Sequence, residues 1–225
     1  FEQHRPSLYL TTGLLHNPTG HSFSPAQAYG LLELAKRHDC HIIEDDLYGD
    51  WHPDPPPRLA ALAGIEHVTY LSGFSKTLSA NLRVSYVVTS AQAAANLTHL
   101  KLMCGGITSE MFEQVVCSML TDGTYHKHRK RVMQGLLASG ARVASWLQGL
   151  GFTLNAPYTG GLYIWATLPA ARDAATLAQE ALARDLVLAP GILFGFDPAL
   201  RHCMRFNVAH TDKPEVMAAL AALLD

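Results

Sequence analysis

Hydrophobic and polar positions change period several times along this chain, and the changes mark out its elements. Residues 7–11, Ser-Leu-Tyr-Leu-Thr, read as a short buried strand. A loop containing Asn17-Pro18-Thr19-Gly20 follows. Ser24 then stands where a helix cap belongs, with Pro25 in the first turn, where a missing N–H costs least. The helix carries Ala28, Leu31, Leu32 and Ala35 on one face. Cys40-His41-Ile42-Ile43 reads as a second buried strand, closing on Glu44-Asp45-Asp46. Strand, helix and strand in that order predict parallel pairing with a right-handed crossover. A third strand is expected at 67–71, running into Ser72-Gly73-Phe74-Ser75-Lys76, and a fourth at 84–89. Ionisable residues gather where strands end, and open α/β sheets bind their ligands at the carboxyl ends of strands.

From residue 91 the pattern turns helical and ends in a long helical stretch reaching 148. A strand at 161–167 comes next, then a helix with Ala174, Leu177, Ala178, Ala181 and Leu182 inward. Short strands near 187 and 204–208 precede a last helix with Val216, Ala219, Leu220 and Leu223 on one face. The expected division is 1–124, an α/β unit with a mainly parallel sheet, and 125–225, a smaller α+β unit entered through a helix over 125–149.

Composition narrows the function classes. With 225 residues, 48% of them hydrophobic, the chain can bury a core in each of two domains. Charged residues make up 16%, and the net charge is −2. That speaks against a nucleic-acid surface, which needs clustered Lys and Arg. No apolar run approaches a membrane span and no signal pattern opens the chain. The chain starts at Phe1, without a Met, inside a working fold, so a fragment or a processed product is expected. Cys40, Cys104, Cys117 and Cys203 form no Cys-x-x-Cys pair and are expected as free thiols of a cytoplasmic protein. The His126-Lys127-His128 and His202-Cys203 clusters lack a third partner at ligand spacing, so no metal is expected.

Four short signals carry chemistry. They are Asn17-Pro18-Thr19-Gly20, then Asp45-Asp46-Leu47-Tyr48, then Ser75-Lys76 with Arg83 seven positions on, then Met204-Arg205-Phe206-Asn207. Singly, each has an ordinary explanation as a turn, a helix cap or a solvated lysine. Together, in this order, they resemble the fold-type-I pyridoxal-phosphate (PLP) proteins of the class I/II aminotransferase family. The resemblance implies an aspartate-aminotransferase-like fold, with 1–124 as the second half of the PLP-binding large domain and 125–225 as the small domain.

It also implies a role for each residue. Lys76 resembles the lysine that carries PLP as a Schiff base and later moves the substrate proton, and burial beside cations is expected to lower its pKa. Asp45 resembles the carboxylate that keeps the pyridine nitrogen protonated; Asp46 reads as a loop or outer carboxylate. Tyr48 and Asn17 resemble the pair that bonds the PLP phenolic oxygen, with the Asn17-Pro18 peptide expected to be cis. Arg83 matches the phosphate arginine and Ser75 an assisting hydroxyl. Arg205, with Asn17, resembles the substrate site, where a planar fork grips an α-carboxylate. Pro157-Tyr158-Thr159-Gly160-Gly161-Leu162-Tyr163 and Ala189-Pro190-Gly191-Ile192-Leu193-Phe194 resemble landmarks of the small domain and receive no catalytic role.

The chain departs from the family pattern in three places. Ala80-Asn81 replaces a usual Pro-Gly, Gly73 stands where a phosphate-binding Ser or Thr is common, and Ser85 stands where Gly is usual. The family's upstream phosphate loop, ring-stacking aromatic and further strands have no counterpart here, so an uncovered sheet edge and core are expected. The runs Ile42–Asp50 and Phe74–Ser79 look closest to the aminotransferase-like domain of GntR-family regulators of the MocR kind. Such a protein would be a homodimer that binds an amino acid or amine and reaches DNA through an N-terminal winged-helix domain outside this chain. A free-standing aminotransferase for aromatic, branched or 2-aminoadipate-like amino acids is the alternative. A non-catalytic module would require Lys76 to remain unmodified.

Overall fold

Ser24 caps the first helix as its sequence predicts. Its hydroxyl accepts from the Gln27 N–H at 3.2 Å, and the Gln27 side chain accepts from the Ser24 N–H at 2.9 Å. This capping box fixes where the loop ends and helix α1 (Pro25–Arg37) begins. The computed structural model describes residues 1–224, Ala171 by its backbone alone. They form two compact units.

The first unit comprises Phe1–Leu14, Ser22–Asp50 and Asp54–Lys130. Its sheet has the order β1 (Leu8–Thr11), β2 (His41–Asp45), β3 (Val68–Gly73), β4 (Ser85–Val88). The first three strands are parallel and β4 returns antiparallel to β3. Ile42 pairs with Val68, and both pack with Ala28 and Ala35 of α1 and Leu59 of α2 (Leu59–Ala63) into one core. The opposite face carries a polar ladder, His41 Nε2 to Thr69 Oγ1 and Thr69 Oγ1 to Thr89 Oγ1, each 2.8 Å. Leu8, Leu10 and Val87 are exposed. The strand at 7–11 is therefore not buried throughout. Tyr9 packs on the core and Thr11 is buried, while Leu8 and Leu10 on the other face of the pleat are left exposed. Helices α3 (Ala91–Met103) and α4 (Glu110–Thr121) follow, and α3 buries none of its residues.

Helix α5 (Thr124–Gly149) starts in the first unit, and the division falls after Lys130 rather than after Thr124. Its first turns are tied there by side chains. Tyr125 meets Phe74 edge-on with centroids 5.7 Å apart and donates to Asp50, and Arg129 lies 3.6 Å from the same carboxylate.

The second unit comprises Leu15–His21, Trp51–Pro53 and the chain from Arg131 onward. Its antiparallel sheet has the order β5 (Thr153–Leu154), β6 (Tyr163–Thr167), β8 (Cys203–Asn207), β7 (Ala189–Pro190). Met204 and Phe206 of the inner strand β8 are buried, with Phe152 edge-on to Phe206 at 5.4 Å. Asp173 caps α6 (Ala174–Leu182), which buries Ala174, Leu177 and Ala181. Leu182, expected inward, is exposed at the last position of the helix, off the face that buries Ala174, Leu177 and Ala181. The strand expected near 187 forms at Ala189–Pro190 instead, leaving Val187 exposed. The short α7 (Val208–Thr211) leads into α8 (Pro214–Leu224), which buries Leu220 and Leu223.

Candidate functional site

In the first unit the candidate residues lie at the carboxyl ends of β2 and β3. Asp45 is the last residue of β2, half-buried, and its Oδ1 accepts from the Leu47 N–H at 3.2 Å. That turn brings the chain to Tyr48, which is buried. Burial raises the Asp45 carboxyl above its usual range; the Leu47 hydrogen bond opposes the rise and the neighbouring Asp46 charge adds to it. A carboxylate in this condition gains from an adjacent cation.

The two acidic neighbours of Asp45 point to the other face and do structural work. Glu44 is 2% exposed and accepts the N–H groups of Leu59 and Ala60 at 2.8 and 2.9 Å, which caps α2 from across the sheet. Burial raises its carboxyl even though both hydrogen bonds act against it. Asp46, expected as a loop or outer carboxylate, is instead buried. Its Oδ2 accepts from Arg58 Nε and from the Tyr70 hydroxyl, both at 2.8 Å. Burial alone would lower the Arg58 guanidinium, but the hydrogen bond and charge of Asp46 outweigh it. Tyr70 is pushed well up, first by burial and then by the Asp46 charge. Gly49 completes the arrangement, since a Cβ there would collide with Asp46 Oδ1.

Lys76 sits on a single helical turn directly after β3. Leu78 N–H and Ser79 N–H both return to the Phe74 carbonyl, at 2.8 and 3.2 Å. Phe74 anchors the turn in a cluster with Val84 and Val116, and His128 Nε2 lies 3.1 Å from the Thr77 carbonyl. Ser75 is half-buried, while Lys76 and Arg83 are exposed. The burial expected of Lys76 is thus absent within this chain, because the sheet face beside it is uncovered. The Ala80-Asn81 departure forms a tight turn (Ala80–Leu82) capped by Ser79, and it ends at Arg83 in the left-handed region, φ 53°.

In the second unit, Asn17 and Arg205 are brought together. The Asn17-Pro18 peptide is cis, as expected, and Arg205 Nη1 donates to Asn17 Oδ1 at 2.7 Å. The guanidinium carbon lies 4.4 Å from the Tyr163 ring centre and 4.9 Å from that of Phe194. Trp165 pairs with Arg205 in register and meets Phe194 edge-on at 5.6 Å. A half-buried cation held flat by aromatic rings keeps its N–H fork oriented for a planar anion. Tyr163 and Phe194 are visible in the sequence only as ends of turn-like landmarks. Arg58 and Tyr70 have no local signal, since their partner is 12 and 24 residues away. Among the described residues no group of three or more His, Cys, Asp or Glu could hold a metal, and no helix is long and apolar enough to cross a membrane.

A parallel-rich α/β unit with ionisable residues at its strand ends, followed by an antiparallel α+β unit with an aromatic-flanked arginine, defines the aspartate-aminotransferase-like class of fold. The chain is similar to LysN, an α-aminoadipate aminotransferase of Thermus thermophilus whose crystal structure holds N-(5'-phosphopyridoxyl)-L-leucine. The TM-score is 0.87 at 24% identity, covering 99% of this chain and 60% of the other. The chain belongs to the aminotransferase class I and II family, whose model matches residues 3–223. It is also similar to two uncharacterised HTH-type transcriptional regulators. YisV of Bacillus subtilis (strain 168) is 27% identical over 98% of this chain and 46% of its own length. YjiR of Escherichia coli (strain K12) is 29% identical over 86% and 42%. The chain thus spans less than half the length of these curated relatives.

Proposed function

We propose that this chain is part of the PLP-binding, aminotransferase-like effector domain of a GntR-family transcriptional regulator of the MocR kind. The observation that carries the reading is the similarity, along nearly all of the chain, to HTH-type regulators more than twice its length. The protein would be a cytoplasmic homodimer that binds an amino acid or amine and reaches DNA through a winged-helix domain outside this chain.

The donor set fits the cofactor. Asp45 is a carboxylate that gains from a cation, Lys76 offers an amine, and Arg83 with Ser75 offers a cation and a hydroxyl at one strand end. When bound, PLP supplies an aldehyde that condenses with amines and a protonated pyridine ring that draws electrons from the bonds next to the nitrogen. Asp45 would hold the proton on the ring nitrogen by its charge. Asn17 and Tyr48 would orient the phenolic oxygen, and Arg83 and Ser75 would hold the phosphate. Lys76 would offer its amine to the aldehyde and, as a free amine, would hold and return the proton at the substrate Cα. Arg205, kept planar by Tyr163 and Phe194, binds the α-carboxylate and so orients that carbon.

The test uses the full-length protein. Borohydride reduction followed by peptide mapping should find a phosphopyridoxyl group on Lys76. The protein should bind a promoter fragment with an affinity that PLP or an amino acid shifts by about 5–150-fold. Lys76→Ala should remove the shift and keep basal DNA binding, and this chain alone, at net charge −2, should not bind DNA. The similarity to LysN favours a second reading, a free-standing aminotransferase. Multiple turnover of a common amino acid with no DNA binding would establish that reading and remove the first.

The homodimer is supported by exposed apolar side chains from α3 to α4. Leu100, Leu102, Met103, Ile107, Met111 and Val115 are all exposed. Full-length protein should sediment as a dimer at micromolar concentration. Charged residues at Met103 and Met111 together should yield a folded monomer, and a wild-type monomer would refute the assignment.

A further inference from the structure

Two departures in the sequence, Gly73 and Ser85, are a single feature of the fold. They face each other in register across β3 and β4. Gly73 is not among the residues with positive φ, so no turn requires a glycine there. What requires it is space. A Cβ on Gly73 would lie 2.8 Å from the Ser85 Cβ and 3.0 Å from both the Ser85 Cα and the Val84 carbonyl oxygen. Two of these three atoms are backbone and cannot swing aside. Position 73 therefore cannot carry a side chain, and the only hydroxyl of this pair stands on β4.

The face on which that side chain stands is also defined. Asp45 pairs with Leu71, and Leu71 and Gly73 are two apart on one strand, so Ser85 shares the sheet face of Asp45. Ser72 lies on the opposite face, where its hydroxyl donates to the Asp46 carbonyl at 3.0 Å. The pairing continues one step past the strands, Phe74 N–H to Val84 O at 3.0 Å, which leaves Ser75 and Arg83 next in register. Ser85 is exposed. One strand end therefore collects two hydroxyls and a guanidinium beside Lys76, with Asp45 further along the same face. Hydroxyls grouped with a permanent cation suit a phosphate ester.

We infer that the Ser85 hydroxyl donates a hydrogen bond to the phosphate of bound PLP, supplying from β4 what Gly73 cannot supply from β3. This rests on the PLP reading above and adds to it a residue that none of the four sequence signals contains.

The decisive comparison is PLP against pyridoxal, which lacks the phosphate, on full-length protein followed by visible absorbance. Ser85→Ala keeps the Cβ that packs on Gly73, so the strands stay paired. It should raise the Kd for PLP about 10- to 100-fold, as expected for a hydrogen bond to a charged group, and leave pyridoxal binding unchanged. Gly73→Ser alone should unfold at lower temperature because of the clash. A Ser85→Ala protein that loses PLP and pyridoxal equally, or neither, would overturn the inference while leaving the cofactor site intact. A wild-type protein with no adduct on Lys76 would remove the PLP reading itself, and this inference with it.

Discussion

Asp46→Ala should destabilise the first unit by about 2–4 kcal/mol, whereas Asp45→Ala should leave folding nearly unchanged and remove cofactor binding. Breaking a buried ion pair by deleting one partner costs about 3–5 kcal/mol, because the remaining charge is left uncompensated. Arg58 keeps 23% of its side chain exposed and can turn partly toward water, which lowers that figure. The Tyr70 hydroxyl loses its acceptor in the same step. Among the described residues Asp45 has no such ion-pair partner, and it accepts one backbone N–H at 3.2 Å. Its raised carboxyl means the ionised form costs stability once the pH climbs past the ordinary aspartate range; alanine removes that cost. Native-state hydrogen exchange on the full-length protein should show lost protection in β2 and β3 for Asp46→Ala. PLP titration should show lost affinity for Asp45→Ala. The reverse pattern would mean that the two carboxylates have been assigned the wrong way round.

The second large effect is expected at Arg205. Arg205→Ala should weaken binding of α-amino acids about 100- to 1000-fold, in line with the loss of a desolvated bidentate ion pair, while PLP still binds. Arg205→Lys should recover little. A lysine is a point charge that can neither offer a planar fork nor lie flat between the Tyr163 and Phe194 rings, a contact worth about 0.5–2 kcal/mol. Calorimetric titration with an amino acid and with its decarboxylated amine provides the check. The amine should bind wild type and variant alike. Equal loss for both ligands would show that Arg205 supports the fold of the unit rather than the carboxylate.

The parts of this molecule that are legible in the sequence are those whose cause is local. Ser24 and Pro25 announce the start of α1 within two residues, and the strand–helix–strand pattern predicts the parallel pairing of β1 and β2. The Asn17-Pro18 peptide is cis as expected. Contacts formed at long range leave no such trace. Nothing near Arg58 names Asp46 as its partner, and the rings around Arg205 come from two separate segments. The reading of Leu182 as inward fails at the last residue of α6, beside the narrower face that buries Ala174, Leu177 and Ala181. Leu8, Leu10 and Lys76 depart from expectation for a shared reason. A hydrophobic strand or a strand-end lysine is buried only where something covers it, and the described residues leave these three side chains exposed.

The hydrogen bond between Arg205 and Asn17 joins residues 188 positions apart. The Leu15–His21 segment belongs to the second unit, although the residues on either side of it belong to the first. At translation speeds of about 5–20 residues per second, Asn17 leaves the ribosome about 10–40 s before Arg205. The strand–helix–strand core can form in that interval from contacts of short sequence separation. The loop that carries Asn17 must wait for the strand that carries Arg205 to be synthesised. The Asn17–Arg205 hydrogen bond therefore forms later than the strand–helix–strand core, and the second unit closes around its own first segment only after that delay.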